Sequence, residues 1–157
     1  FDMETKSDLL MEQGFFPLVL NAMIAKFEVE MEEGVPPEAI LMELYLSREV
    51  AYVFEEMAKK GILKQLPLHS RTSQYGQLSR TDEIFENRVS GVNYNDIKEF
   101  MQCKLKDIDN GKFAREWNTE MSADYPAFKR LFKKYQDSEF IKREQEAIEK
   151  FGLREKE

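Results

Sequence analysis

The chain of 157 residues is poor in the side chains that build covalent cross-links and soft-metal centres. Cys103 is its only cysteine and His69 its only histidine. An intrachain disulfide is therefore impossible, and a zinc centre built from Cys and His is excluded. A Ser-His-Asp hydrolase would depend on His69 alone, which has no nucleophile-elbow glycines around it. A single thiol also favours a reducing, cytoplasmic compartment.

Long hydrophobic runs and an excess of basic charge are also missing. The longest apolar stretch, residues 15–25, is interrupted by Pro17 and Asn21. It is shorter than the roughly 20 residues that cross a bilayer, so we expect no membrane partner. Lys and Arg number 23 against 30 Asp and Glu, a net charge of −7. General binding to nucleic-acid phosphates is not expected either, and the basic cluster at residues 129–134 is typical of a solvated helix face.

Helical periodicity is what the sequence does contain. Apolar residues recur at helical spacing over residues 7–33, where Pro17 is expected to kink or divide the helix. A second long helix is predicted from Pro36 to Lys60, with Gly61 as its stop signal. Its core stripe consists of Ile40, Leu41, Leu44, Val50, Val53, Phe54 and Met57.

The second half of the chain is predicted to be helical after an irregular connection. Residues 62–92 are rich in hydroxyl side chains and read as a loop with a short helix inside it. Helices are then expected at residues 97–108, capped by Asn95, and at residues 113–121 and 127–151. No pair of strands is apparent, so a single all-α domain is predicted.

Acidic side chains supply the candidate metal ligands. Asp8 and Glu12 follow Ser7, which is predicted to cap the first helix. Side chains four residues apart share one face of an α-helix, so this pair could hold a cation or simply face water. Glu43 lies between apolar neighbours, and a buried carboxylate would need a partner there. Glu43 is therefore the third candidate ligand.

These residues and their order resemble the C-terminal helical, knotted domain of ketol-acid reductoisomerase of the short-form type. The resemblance covers nearly the whole chain. The family motif D-L-x-G-E-Q is matched by Asp8-Leu9 and Glu12-Gln13, and the motif P-P-E with a following acid is matched by Pro36-Pro37-Glu38 and Glu43. The motif S-x-T-x-E-Y-G is matched by Ser70-Arg71-Thr72-Ser73-Gln74-Tyr75-Gly76. The motif G-x-F-A-x-x-W is matched by Gly111, Phe113, Ala114 and Trp117.

The resemblance implies an all-α knotted domain over residues 1–157 that forms an intertwined homodimer, with higher oligomers left open. It also implies the conversion of 2-acetolactate or 2-aceto-2-hydroxybutyrate into 2,3-dihydroxy acids, by alkyl migration and NADPH reduction, in valine and isoleucine synthesis. Two Mg²⁺ ions would serve the first step. The chain has no G-x-G-x-x-G, so the resemblance implies that NADPH binds an N-terminal Rossmann domain outside this sequence and that the isolated domain is inactive.

The resemblance also assigns roles to individual residues. Asp8 would bridge the two Mg²⁺ ions and Glu12 would hold one of them. Glu43 would act in the site of the partner subunit, and Ser70 would contact the substrate. Ser47 stands where the family has a second acid, so it is either an indirect contributor to the metal site or a degenerate metal position.

Three further positions depart from the family pattern. Met11 replaces a glycine, Leu18-Val19 occupy a usual Gly-Gly, and Gln74 replaces an acid. Together with Ser47, they leave open a second interpretation, in which the chain is a diverged, non-catalytic helical module for oligomerisation or scaffolding. Asp8, Glu12, Glu43 and Ser70 favour the enzyme.

Overall fold

The computed structural model describes residues 3–153, and every regular element within that range is helical. This confirms the predicted all-α class. Two π-helical turns occur among the described residues: the first π-turn (Met11–Phe15) and the second π-turn (Met42–Leu46). The α-helices are α1 (Met3–Leu10), α2 (Phe16–Glu32), α3 (Pro37–Leu41), α4 (Glu49–Lys60), α5 (Arg71–Phe85), α6 (Tyr94–Asp109), α7 (Lys112–Ser122), α8 (Pro126–Gln136) and α9 (Glu139–Phe151), with a 3₁₀ turn at Leu66–Leu68.

The first helix begins earlier than predicted. Ser7 is not an N-cap, because α1 already begins at Met3 and Ser7 lies inside it. The preceding Met, Glu and Lys side chains favour helix, and a serine in a helix costs only about 0.5 kcal/mol relative to alanine. The predicted division at Pro17 is present, because the first π-turn ends one residue before α2 and Pro17 is the second residue of α2.

The predicted helix from Pro36 to Lys60 is broken into α3, the second π-turn and α4. Arg48 has a left-handed backbone with φ of 65° just before α4. The apolar pattern explains the break. At about 100° per residue, an unbroken helix would place the stripe of α4 nearly opposite the stripe of α3. Phe54 of the predicted core stripe is exposed instead of buried, and Gly61 ends α4 as predicted.

Three other predictions need correction. Residues 71–85 form the 15-residue helix α5, which is longer than the short helix expected inside this loop, and Ser70 caps it by accepting from the backbone N–H of Ser73. Helix α6 is capped by Asn93, not by Asn95. The predicted helix at residues 127–151 is two helices, α8 and α9, because Ser138 starts a new helix by accepting from the backbone N–H of Ile141.

The main hydrophobic core lies where α2, α3, the second π-turn and α9 meet. Its buried side chains are Phe27, Ile40, Leu41, Leu44 and Ala147. The ring of Phe140 on α9 packs edge-on against Phe27, with the ring centroids 5.1 Å apart. The segment that carries Glu43 is therefore anchored on α9.

A second packing contact holds α1 and the first π-turn against α6. Lys6 Nζ lies 2.6 Å from Asp109 Oδ1. Gly14 lies so close to α6 that a Cβ atom built on it would be 2.5 Å from Met101 Sδ. Because the methionine end is flexible, this contact is close without being rigid.

Much apolar surface stays uncovered in the single chain. The accessible surface is 12,205 Å², whereas a compact monomer of this mass would expose about 8,200 Å². Exposed aromatic side chains are spread over many helices, and they include Phe16, Phe54, Trp117, Phe128 and Phe132. In the described part of the chain, no helix is both long and apolar enough to cross a membrane.

Candidate functional site

Each of the two π-turns carries one candidate metal ligand. Both turns begin with the dipeptide Met-Glu, which is Met11-Glu12 in the first and Met42-Glu43 in the second. A π-turn inserts one extra residue into a helix and is frequently found at functional sites. Asp8 lies in α1, shortly before the first π-turn.

The carboxylates of Asp8 and Glu12 are exposed and available to a ligand. The nearest basic residue, Lys6, does not neutralise them, because it pairs with Asp109 of α6. Over residues 3–153, no hydrogen bond or ion pair is found to either carboxylate. The pair thus keeps its oxygen atoms free, as a hard cation would require.

Gln13 directly follows Glu12 and has an unmatched polar group. Its side-chain Nε2 atom is buried, yet it has no acceptor among the described residues. A buried amide without a partner costs about 1–3 kcal/mol. Further contacts are therefore needed beside Glu12 for this region to be satisfied.

Glu43 lies on the exposed side of the second π-turn, while its neighbours face inward. Leu44 is buried in the core, and Tyr45 donates its hydroxyl hydrogen to Glu144 of α9. Burial, followed by the contact with Glu144, raises the pKa of Tyr45 well above its usual value. The carboxylate of Glu43 needs no buried partner, because it is solvent-exposed.

Ser47 follows the second π-turn, and its side chain accepts a hydrogen bond from the backbone. Its Oγ atom accepts from the N–H of Glu49 at 3.3 Å, at the start of α4. A hydroxyl is also a weaker partner than a carboxylate for Mg²⁺. This arrangement gives Ser47 a structural use.

Ser70 is the N-cap of α5, where its Oγ atom accepts from the N–H of Ser73 at 3.2 Å. The hydroxyl hydrogen of Ser70 remains able to donate to a ligand. The turn before it is held by buried Gln65, whose Oε1 lies 3.0 Å from His69 Nε2. Gln74 completes this support by donating from Nε2 to the carbonyl oxygen of His69 at 2.7 Å.

The predicted residues do not form a complete metal site within the described part of one chain. Among residues 3–153, no group of three or more Asp, Glu, His or Cys side chains is arranged to hold a metal ion. Asp8 and Glu12 are neighbours along one helical segment, whereas Glu43 belongs to another. Sequence reasoning missed the contact of Tyr45 with Glu144, because nothing in the sequence pairs residues 99 positions apart.

Comparison with known proteins places this fold in a family. The family model described as ketol-acid reductoisomerase, C-terminal domain, matches residues 1–151. A protein of Saccharolobus solfataricus named "Putative ketol-acid reductoisomerase 3" is 38% identical over 147 residues, which are 93% of this chain and 42% of that protein. The ketol-acid reductoisomerase (NADP(+)) of Petrotoga mobilis is 32% identical over 139 residues, which are 88% of this chain and 39% of that protein.

A solved structure agrees with these sequence matches. It is an NADH-preferring ketol-acid reductoisomerase from an uncultured archaeon, with a TM-score of 0.73 and 28% identity. The match covers 91% of this chain and 40% of that chain, so the present sequence spans about two-fifths of the relatives it matches. The chain belongs to the family of ketol-acid reductoisomerase C-terminal domains.

Proposed function

We propose that the chain is the Mg²⁺-binding and dimer-forming part of a ketol-acid reductoisomerase. The whole enzyme would convert 2-acetolactate or 2-aceto-2-hydroxybutyrate into 2,3-dihydroxy acids for valine and isoleucine synthesis. NADPH would bind a Rossmann domain beyond this sequence. The observation that carries the proposal is the set of three exposed carboxylates on family motif positions, two of them on π-turns, that have no partner among residues 3–153.

The donor set suits Mg²⁺. Asp8 and Glu12 of one copy would hold the ions together with Glu43 of a second copy. Such a division accords with the absence of a three-acid group among the described residues of one chain. When bound, Mg²⁺ supplies polarisation of the substrate's carbonyl and hydroxyl oxygen atoms and stabilises developing negative charge.

Ser70 would orient the substrate. As an N-cap it has a fixed oxygen position, and its hydroxyl hydrogen can donate to a carboxylate or hydroxyl oxygen of the substrate. The network of Gln65, His69 and Gln74 holds the preceding turn in place. A positioned donor helps to select the productive orientation of a small, flexible acid.

A homodimer would complete the fold. The accessible surface of one chain exceeds that of a compact monomer by roughly 4,000 Å². Obligate interfaces commonly bury about 2,000–5,000 Å² summed over both partners, or about 1,000–2,500 Å² per chain, so a second copy could cover a large part of this excess. The uncovered aromatic side chains and the unmatched amide of Gln13 both favour a second copy as the cover. An intertwined, knotted path is proposed from the family resemblance alone.

Calorimetric titration of the purified protein with Mg²⁺, with and without a hydroxamate mimic of the substrate, tests this function. We expect Mg²⁺-dependent binding of the mimic. Asp8→Asn should weaken Mg²⁺ binding by about tenfold or more, because it removes a charged ligand. Ser47→Ala is the matched control and should change the Mg²⁺ affinity much less. Circular dichroism would verify that both variants are folded.

The second candidate function is a non-catalytic oligomerisation or scaffold protein. It is favoured by Ser47, whose hydroxyl oxygen accepts from the backbone N–H of Glu49 where the family has an acid. A folded dimer that binds neither Mg²⁺ nor the mimic would support this candidate and contradict the enzyme. Equal effects of Asp8→Asn and Ser47→Ala would show that the inferred ligand set is wrong.

A further inference from the structure

A hydrogen bond joins the second π-turn to the last helix. Tyr45, two residues after Glu43, donates its hydroxyl hydrogen to Oε1 of Glu144 in α9. The bond is partly buried and spans 99 residues of sequence. Bonds to a charged acceptor in a partly dry setting are stronger than ordinary ones, so this contact can hold the turn.

Helix α9 is a firm support for that bond. Ala147 is buried in the main core, and Phe140 packs edge-on against Phe27 of α2. Lys150, one turn further along, forms an ion pair with Glu38 of α3. Glu144 therefore projects from a helix that is fixed to α2 and α3, the two helices that precede the turn carrying Glu43.

The second π-turn needs such support. Its backbone contains a bond from the N–H of Ser47 to the carbonyl oxygen of Met42 at 3.2 Å, and Arg48 then adopts a left-handed conformation. Left-handed backbone is unfavourable for a residue with a side chain and persists only where neighbouring contacts hold it. Buried Leu44 and bonded Tyr45 provide those contacts on the inner side, while Glu43 points to solvent on the outer side.

We propose that Tyr45 and Glu144 form a positioning pair that fixes the second π-turn and thereby the orientation in which Glu43 presents its carboxylate to Mg²⁺. The proposal rests on the proposed function and adds to it a pair of residues that touch neither metal nor substrate. Outer contacts that orient a ligand typically alter metal affinity by about 10- to 100-fold when removed.

The test compares Mg²⁺ affinity, measured by calorimetry, across matched variants of the purified protein. Tyr45→Phe removes only the hydroxyl and should weaken Mg²⁺ binding about tenfold. Glu144→Leu should have the same effect, whereas Glu144→Gln should have a clearly smaller one, because its amide oxygen still accepts although it carries no charge. Tyr135→Phe is the control, since Tyr135 lines the same pocket as Tyr45 and Glu144, and its hydroxyl has no hydrogen bond among the described residues.

A second measurement distinguishes a local role in positioning the second π-turn from a general effect on the stability of the protein. Amide hydrogen exchange should be faster over residues 42–47 in Tyr45→Phe than in Tyr135→Phe, while the main core stays protected. If the unaltered protein binds Mg²⁺ and folded Tyr45→Phe binds it equally well, the positioning role is wrong and the proposed function stands. If the unaltered protein does not bind Mg²⁺, both fall. A Glu144→Gln variant as damaging as Glu144→Leu would also overturn the hydrogen-bond explanation.

Discussion

The two π-turns begin with the same dipeptide but are held in place by different means. The second turn is anchored within its own chain, through buried Leu44 and the bond from Tyr45 to Glu144. The first turn touches α6 through Gly14 and leaves the amide of Gln13 unmatched. Among the described residues, the second turn is thus held by a side-chain hydrogen bond to a distant helix, whereas the first is held by packing against α6.

The largest effect is expected from a substitution in the core beside the second π-turn. Leu41 is fully buried next to the second π-turn. Leu41→Ala should lower the free energy of unfolding by about 2–5 kcal/mol, because it removes core contacts and leaves a cavity. Chemical denaturation at one fixed protein concentration measures this change. Leu153→Ala, at an exposed position, should change it by less than about 0.5 kcal/mol. Equal losses would contradict the location of the core.

A smaller effect is expected beside the first π-turn, in the dimer dissociation constant instead of the free energy of unfolding. Phe16 directly follows the first π-turn and is 49% exposed. Phe16→Ala should raise the dimer dissociation constant about tenfold, since aromatic side chains often dominate an interface. Sedimentation equilibrium at several concentrations measures it, with Lys98→Ala as the surface control. An unaltered protein that sediments as a compact monomer at micromolar concentration would refute the dimer.

Ser70 provides a third point of comparison, because its turn is also supported within the chain. Gln74→Glu removes the donor to the carbonyl oxygen of His69 and places a negative charge beside it. We expect a loss of about 1 kcal/mol in the free energy of unfolding. Gln77→Glu is the matched control, because the hydroxyl of Ser73 can donate to a carboxylate where a carbonyl group cannot. Equal effects would show that the network does not hold Ser70.

The smallest effect concerns the ion pair of Glu38 with Lys150, which joins α3 to α9. The hydrogen bond from Lys150 lowers the pKa of Glu38 below its ordinary value. Its stabilisation is therefore present above the ordinary carboxyl pKa, roughly 4.3, and is lost as the pH falls through the lower folded value. Lys150→Gln should slightly reduce stability at neutral pH and leave it unchanged in strong acid. Thermal unfolding at pH 7 and pH 3 checks this, and an equal loss at both values would contradict it.

The sequence allowed the fold class and some element ends to be predicted, for identifiable reasons. Pro17 and Gly61 act on their own backbone, so their effects are local. The break between α3 and α4 was not predicted, because Ile40, Leu41 and Leu44 were assigned to the same stripe as the apolar residues that follow. The length of helix α5 was underestimated because its hydroxyl residues have weak intrinsic helix preference, which the Ser70 cap and tertiary contacts outweigh.

The site was less predictable than the fold. Asp8, Glu12 and Glu43 could be selected as hard-cation ligands by residue type and motif, and their roles remain predictions. Their exposure and the support behind them depend on contacts between distant segments, such as Tyr45 with Glu144. Spacing along the chain carries no information about such pairs, so a structure is needed to find them.

The π-turns also determine where the chain tolerates a change in length. Deleting one residue from either turn would rotate the preceding helix against the following one by about 100°. The neighbouring carboxylate would then lie on another face, even though every side chain of the motif was kept. The connection between α5 and α6, which contains Gly91 with φ of 92°, is not helical, so a change in its length does not rotate one part of a helix against another. We therefore expect natural length variation to concentrate in that connection and to spare both turns.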